Sequence, residues 1–271
     1  MRSAELVIAE AAPIRFKNDI ARRASARIGT DEPFQIKVRR AARQAQSFNN
    51  QPRYELAAYE LQRLLFDPES EVVPPTVLRS MPLDEFRALD PRAGETFGGT
   101  GASLFIVQCW LKGVKPHPES IDEARFAADP AYARAISNLN VLTYLIEHKD
   151  SNAGNVMLAQ TDGAVRAWAI DNGVAFESEE SDVGAFWKPL RVPAIDPRLH
   201  ERLKSIDRAT LDRHLGVVAE FTLVDGNWVP RPPEANLGAM SGVRREGNVL
   251  QLGLTRKEIW AVHRRVEALR E

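Results

Sequence analysis

Three oxygen-bearing side chains along one stretch of the chain have the types and the order that phosphoryl transfer requires. Asp150 is followed by Asn155, and Asp171 comes after a further apolar segment. The reaction needs a carboxylate to accept the proton of the attacking hydroxyl, and oxygen ligands to hold Mg²⁺ against the phosphates of ATP. The order predicts Asp150 as the catalytic base, and Asn155 and Asp171 as ligands of Mg²⁺ or Mn²⁺.

The segment that joins the two proposed metal ligands is typical of a β-hairpin. Residues 155–158 are apolar enough for a short strand, the Asp-Gly pair at 162–163 is a tight-turn signal, and residues 165–170 have strand character. Because a hairpin brings its two ends together, we expect Asn155 and Asp171 to lie close to each other.

Each of these residues also has an ordinary structural interpretation. Asp150 and Asp171 could be turn aspartates that accept hydrogen bonds from nearby backbone amides, and Asn155 follows a glycine in a turn-prone pair. A purely structural account explains poorly why all three occur in this order between the expected elements. We expect His148, two residues before Asp150, to brace the loop by hydrogen bonding rather than to transfer protons.

Lys37 is a candidate contact for the phosphates of ATP. It lies on a predicted strand at residues 34–38, on the face opposite to three apolar side chains. Most strand lysines are merely solvated, but a kinase lysine of this kind pairs with a glutamate on a helix. The next predicted helix begins at Pro52 and offers Glu55 and Glu60, of which we expect Glu60 to be solvated.

The composition is that of an ordinary globular protein. Of 271 residues, 44% are hydrophobic and 27% charged, and 36 basic side chains nearly balance 37 acidic ones. No global field therefore favours nucleic acid or an anionic membrane as a partner. Cys109 is the single cysteine, which excludes an internal disulfide, and its apolar neighbours predict a buried, inert thiol. With no signal peptide or long apolar segment recognised, we expect no transmembrane helix and a cytoplasmic location.

The predicted elements form an α+β pattern, with a strand-rich N-terminal half and a mainly helical C-terminal half. The predicted strands of the first half are residues 6–8, 34–38 and 104–110. The predicted helices are residues 17–27, 52–66, 130–146, 198–205, 208–217 and the segment after a capping box at Thr255 and Glu258. Residues 80–103 are expected to be loop-rich. A turn-rich linker at 113–120 predicts an N-lobe of about residues 1–112 and a C-lobe of about 113–271 within a single domain.

These motifs resemble those of the phosphatidylinositol 3-/4-kinase-related superfamily, which includes lipid kinases, secretory-pathway protein kinases and HipA-type bacterial kinases. Residues 53–61 and Val-Pro-Pro-Thr at 73–76 look like its helix and following strand. Residues 150–155 resemble its D-R-x-x-x-N catalytic loop, and residues 169–176 resemble its metal-binding I-D-N-G element. The resemblance covers about residues 34–176.

The resemblance implies a two-lobed protein-kinase-like fold and a transfer from ATP, with Mg²⁺, to a hydroxyl-bearing acceptor that we expect to be a protein. Lys37 matches the lysine that contacts ATP, and Glu55 matches its helix partner. The segment that contacts the adenine would consist of Gln108, Cys109, Trp110 and Leu111.

The sequence departs from the family pattern in two places. Ser151 stands where the family usually has arginine, and Gly29 is the only glycine between the first two predicted strands, so a glycine-rich loop is missing there. The basic stretch at 17–27 would then cover the phosphates. Fewer backbone amide donors over the phosphates predict weaker ATP binding.

Two other functions fit part of the pattern. Small-molecule kinases of the aminoglycoside or choline type also use an H-x-D-x4-N loop, as in residues 148–155, followed by an I-D pair. A pseudokinase that binds nucleotide as a scaffold would fit the missing glycine loop. Retention of all the candidate site residues argues against that second alternative.

Overall fold

The first sheet of the protein gathers the apolar segments of the N-terminal half. The computed structural model describes residues 6–15, 19–116, 121–150, 154–161, 164–176 and 195–271. The sheet is antiparallel, in the order β1-β2-β3-β5-β4. Its strands are β1 (Leu6–Pro13), β2 (Ala21–Ile28), β3 (Phe34–Arg40), β4 (Thr76–Pro82) and β5 (Ala102–Cys109). Strand β5 is buried on both faces between β3 and β4, which explains its unbroken apolar sequence.

Seven α-helices occur in the described residues, and the mixed α+β class predicted from the sequence is confirmed. They are α1 (Pro52–Leu65), α2 (Leu83–Leu89), α3 (Glu123–Ala128), α4 (Pro130–Leu145), α5 (Pro197–Ser205), α6 (Arg208–Leu215) and α7 (Arg256–Ala268). Helix α4 begins as predicted, because the Asp129 carboxylate accepts hydrogen bonds from the amides of Ala131 and Tyr132. None of the described helices has the length and apolar character that a membrane crossing needs.

Two smaller sheets also occur in the described residues. One has the order β6-β7-β8 and the other the order β10-β9-β12-β11, and both are antiparallel. Their strands are β6 (Val114–Pro116), β7 (Val156–Thr161), β8 (Ala164–Ala169), β9 (Ala219–Val224), β10 (Asn227–Arg231), β11 (Val243–Glu246) and β12 (Val249–Leu252). Strand β6 occupies part of the predicted linker, of which residues 117–120 lie outside the described ranges.

Two assignments in the N-terminal half were wrong. Residues 21–28 form strand β2 rather than a helix, and Lys17 lies outside the described residues. The buried side chains of Ala24 and Ala26 alternate along β2 with more exposed ones. This is the two-residue period of a strand, which is hard to recognise in an alanine-rich sequence. Residues 80–103 are also more regular than expected, because β4 continues to Pro82 and α2 follows directly.

The four-stranded sheet of the C-terminal half was not predicted, so this half is less helical than expected. Asp225 and Gly226 form the two-residue turn between β9 and β10, both with positive φ. Asp-Gly is a strong hairpin signal, so the sequence did contain evidence for the sheet. Its apolar face shares a core with β4 and β5. That core includes Leu78, Phe97, Leu104, Ile106, Phe221, Trp228, Leu250 and Leu252.

Helix α1 is enclosed by both halves of the molecule. Leu56 packs into the core below the four-stranded sheet, whereas most other apolar residues of α1 enter the largest core. The members of that core on α1, α4 and α7 include Tyr54, Ala58, Leu61, Leu65, Ile136, Leu139, Leu142, Ile259, Val262 and Val266. Because α1 carries Glu55, the packing of this helix determines where that carboxylate lies.

A buried ion pair connects the first turn of α1 to the first turn of α7. Nη1 and Nη2 of Arg53 donate to the two carboxylate oxygens of Glu258 at 2.7 and 2.8 Å, and the hydroxyl of Tyr54 donates to the same carboxylate at 2.5 Å. Glu258 also completes the predicted capping box with Thr255. One carboxylate therefore both caps α7 and holds α1 in place.

We expect Glu258→Gln to lower the free energy of unfolding by about 3 kcal/mol, because the Arg53 guanidinium then stays buried without its counter-charge. Urea-induced unfolding would measure the loss. The control is Glu201→Gln, which removes an exposed ion pair to Lys204 on α5 and should change little. Equal effects of the two substitutions would contradict the stabilising role of the buried pair.

Candidate active site

Strand β3 presents two cations on one face of the first sheet. Ile36 and Val38 point into the core beneath α2, so Lys37 and Arg39 lie on the opposite face, since side chains alternate along a strand. Lys37 was predicted from the sequence and Arg39 was not. Arg39 lies two residues after Lys37, and this strand spacing could have indicated that the two side chains share a face.

The ammonium group of Lys37 forms an ion pair with the carboxylate of Asp171, just beyond the end of β8. Burial acts to raise the pKa of Asp171, but Lys37 and Arg39 outweigh it and lower the pKa to about 2. Asp171 is therefore ionised at neutral pH. Its backbone has a φ of 56°, a left-handed conformation that aspartate adopts more readily than most residues.

The carboxylate of Glu55 is buried beside the same group of charges. Burial raises its pKa, while the cations of Lys37 and Arg39 act in the opposite direction. Its Oε2 accepts a hydrogen bond from the amide of Asn172 at 3.1 Å, and its Oε1 lies 3.6 Å from Nη1 of Arg39. The ion pair expected between Lys37 and Glu55 is replaced by two others in the described structure, Lys37 with Asp171 and Arg39 with Glu55.

The β7–β8 hairpin brings the two expected metal ligands together. Val156 pairs with Ala169 in register, and the carbonyl of Asn155 accepts a hydrogen bond from the amide of Ile170 at 2.9 Å. Asn155 lies opposite Ile170, and Asp171 is the next residue. The two expected ligands are therefore close together at the open end of the hairpin, as the sequence predicts. The turn at 162–163 and Ser151 lie outside the described residues.

Asn155 also contacts the loop that carries Asp150. Its Nδ2 donates to the carbonyl oxygen of Asp150 at 2.7 Å, so the amide oxygen of Asn155 is the atom that could bind a metal. Asp150 itself is partly buried at the end of the segment that follows α4. The structure thus brings Asp150, Asn155 and Asp171 into one region.

His148 is a buried brace beneath this loop. Its Nε2 lies 3.3 Å from the carbonyl oxygen of Ile170, and its backbone amide donates to the carbonyl of Thr143 at 3.0 Å. Burial lowers the pKa of the imidazole, although the hydrogen bond to Ile170 acts against the shift. A neutral ring that donates to Ile170 ties the loop to the residue before Asp171.

The segment expected to contact adenine leaves the first sheet at the end of β5. Gln108 is buried and donates to the hydroxyl of Thr76 at 2.9 Å. Trp110 and Leu111 are partly exposed. The prediction for Cys109 as a buried thiol was wrong, because it is exposed at the last position of the strand, beyond the apolar cluster that ends at Val107.

The connection between β1 and β2 supplies positive charge near Asp171. Its sequence contains no glycine, and Gly29 lies instead in the turn between β2 and β3. The stretch at 17–27 is not the helix that was expected, since residues 21–27 belong to β2; that it covers the phosphates stays a prediction. Arg15, in the described part of the β1–β2 connection, is one of the cations that lower the pKa of Asp171.

The donor set at this site fits Mg²⁺. Asp171 offers a carboxylate and Asn155 an amide oxygen, and Mg²⁺ in nucleotide sites commonly takes one or two protein ligands together with phosphates and waters. No group of three His, Cys, Asp or Glu side chains in the described ranges could hold a metal unaided. Substrate phosphates would have to complete the coordination.

Comparisons with known proteins bear on the fold. No protein-family model matches the sequence, and no curated protein matches it. The structure is similar to one described as hydra Fam20 with sugar, with a TM-score of 0.52 and 14% sequence identity, over 98% of this chain and 83% of that one. The likeness shows that this chain has a protein-kinase-like fold.

The buried imidazole predicts a loss of stability in mild acid. Because burial lowers the pKa of His148 below 6.5, unfolded chains take up a proton as the pH falls through 6.5 while folded ones do not. The free energy of unfolding should then fall, by at most about 1.4 kcal/mol per pH unit from this group.

Urea-induced unfolding between pH 7.5 and 5.5 would measure this dependence. His148→Gln should flatten it, since glutamine does not titrate, whereas His214→Gln, at an exposed position of α6, should leave it unchanged. The same slope in wild type and His148→Gln would rule out His148 as its source.

Proposed function

We propose that this protein is an ATP- and Mg²⁺-dependent phosphotransferase of the phosphatidylinositol 3-/4-kinase-related type, and that its acceptor is a hydroxyl group of a protein. One observation carries the proposal. On a protein-kinase-like fold, separate elements bring Lys37, Asp150, Asn155 and Asp171 into one region. A lysine, a carboxylate base and two oxygen ligands are the groups that phosphoryl transfer from ATP uses.

Each residue has a distinct role in the proposed reaction. Lys37 would move from Asp171 to the nucleotide phosphates, which carry more negative charge. Asp150 would orient the acceptor hydroxyl and accept its proton, while His148 holds the loop in position. Asn155 and Asp171 would bind Mg²⁺, which neutralises charge on the phosphates when bound. Residues 108–111 would contact the adenine.

The charge around Asp171 offers a substitute for the missing glycine-rich loop. Arg15 lies within electrostatic range of the Asp171 carboxylate, and Lys37 forms an ion pair with it. Cations attract phosphates without the backbone amides of a glycine loop, and an arginine adds directional donors of its own. We therefore expect nucleotide affinity that falls steeply with ionic strength.

A sugar acceptor is a second candidate, because the similar structure is described as containing a sugar. This would make the protein a small-molecule kinase rather than a protein kinase. A third candidate is a pseudokinase, which would bind nucleotide without transferring phosphate. The three differ in where the γ-phosphate of ATP goes.

We expect Asp150→Asn to reduce phosphoryl transfer by about 10²–10⁴-fold, because the hydroxyl proton loses its acceptor. Asp171→Asn should abolish Mg²⁺-dependent transfer by removing the only anionic metal ligand of the proposed pair. Asp84→Asn is the control, since that carboxylate is almost fully exposed on α2. The measurement is transfer of label from γ-labelled ATP.

The assay uses three acceptor mixtures, namely cell-extract proteins, a panel of sugars, and the purified protein alone. Label in protein supports the leading proposal, and label in a sugar supports the second candidate. Nucleotide binding without any transfer supports the pseudokinase. Undiminished transfer by both Asp150→Asn and Asp171→Asn would refute the site assignment.

A further inference from the structure

Arg39 is the cation that faces Glu55 most closely, and it lies two residues beyond Lys37 on β3. Its Nη1 is 3.6 Å from Oε1 of Glu55 and 3.7 Å from Oδ1 of Asp171. Only 12% of its side chain is exposed. The guanidinium therefore lies between the helix carboxylate and the proposed metal ligand.

The same guanidinium reaches a third segment. Its Nη2 donates to the carbonyl oxygen of Asn49, in the loop that precedes α1. That carbonyl lies against Gly173, where an added Cβ would come within 3.1 Å of it. Arg39 therefore connects β3 with the loop before α1, with α1 itself and with the segment after β8.

An arginine is suited to this position in a way that a lysine is not. The planar guanidinium presents several donors in fixed directions and serves acceptors on different segments at once. The ammonium group of Lys37 is a compact charge on a flexible stem, and its one ion pair in the described structure is with Asp171. Glu55 is thus held by Arg39 and by the Asn172 amide.

We propose that Arg39 is the positioning residue that holds Glu55 and α1 against β3, and that Lys37 is thereby reserved for the nucleotide phosphates. The second half of this statement rests on the proposed phosphotransferase function, and the first half does not. The resemblance implies that Lys37 both pairs with Glu55 and contacts the phosphates. In the proposed arrangement Arg39 takes the first role and Lys37 keeps the second.

Double-mutant cycles distinguish the two arrangements. One cycle combines Arg39→Met with Glu55→Gln, and the other combines Lys37→Met with Glu55→Gln. The equilibrium constant of unfolding in urea, without nucleotide, is the first measurement. We expect coupling on the order of tenfold for Arg39 with Glu55, which form an ion pair, and weaker coupling for Lys37 with Glu55, because Lys37 acts on that carboxylate through its charge alone.

Arg40→Met provides the matched control. Arg40 is the next residue of β3, and its guanidinium pairs with Asp90, so its effect should add to that of Glu55→Gln. Arg39→Lys should restore part of the coupling, since it keeps the positive charge but not the planar set of guanidinium donors. The same variant replaces Arg39→Met in the cycle if Arg39→Met folds poorly. Strong coupling of Lys37 with Glu55, and none of Arg39, would overturn the proposal.

The second measurement is the affinity for a non-hydrolysable ATP analogue with Mg²⁺, by calorimetry. Lys37→Met should weaken binding about tenfold or more, whereas Glu55→Gln should weaken it less. Equal losses of affinity in Lys37→Met and Glu55→Gln would overturn the proposal that Lys37 is reserved for the phosphates. Absence of binding by the wild-type protein would refute the proposed function, and the unfolding cycles would still decide the role of Arg39.

Discussion

A buried carboxylate needs cations and hydrogen-bond donors around it, because an ion that leaves water without them loses several kcal/mol of solvation. Glu55 is buried and imposes this requirement. Its partners come from distant parts of the sequence, the guanidinium of Arg39 from β3 and the amide of Asn172 from beyond β8. Satisfying one carboxylate therefore fixes the relative positions of the first sheet, α1 and the β7–β8 hairpin.

The same requirement explains why the site residues cluster. The hairpin brings Asn155 beside Asp171, and the amide of Asn172 then anchors that end of the hairpin to α1. Lys37 and Arg39 share one face of β3, so whatever places one cation also places the other. The geometry of the site follows from backbone regularity plus a small number of buried polar contacts.

Local patterns allowed much of this arrangement to be predicted. The strand at Lys37, the helix with Glu55, the cap at Asp129 and the β7–β8 hairpin all have short-range signals, and all are present. Strand β2 was missed because alanine fits helix and strand patterns alike. The pairing of Arg39 with Glu55 could not be predicted, since no local pattern indicates which of two neighbouring cations approaches a carboxylate from another element.

The ion pair of Arg53 with Glu258 affects the order in which the chain can fold during its synthesis. The two residues are separated by 205 positions, so α1 cannot gain this contact on the ribosome until nearly all of the described chain has emerged. Most of the residues of the candidate site are synthesised long before. Contacts between such distant residues slow folding because a long loop must close first, and α1 would meanwhile expose apolar side chains that invite association with other chains. The final position of α1, and with it that of Glu55, therefore depends on residues synthesised after those of the candidate site.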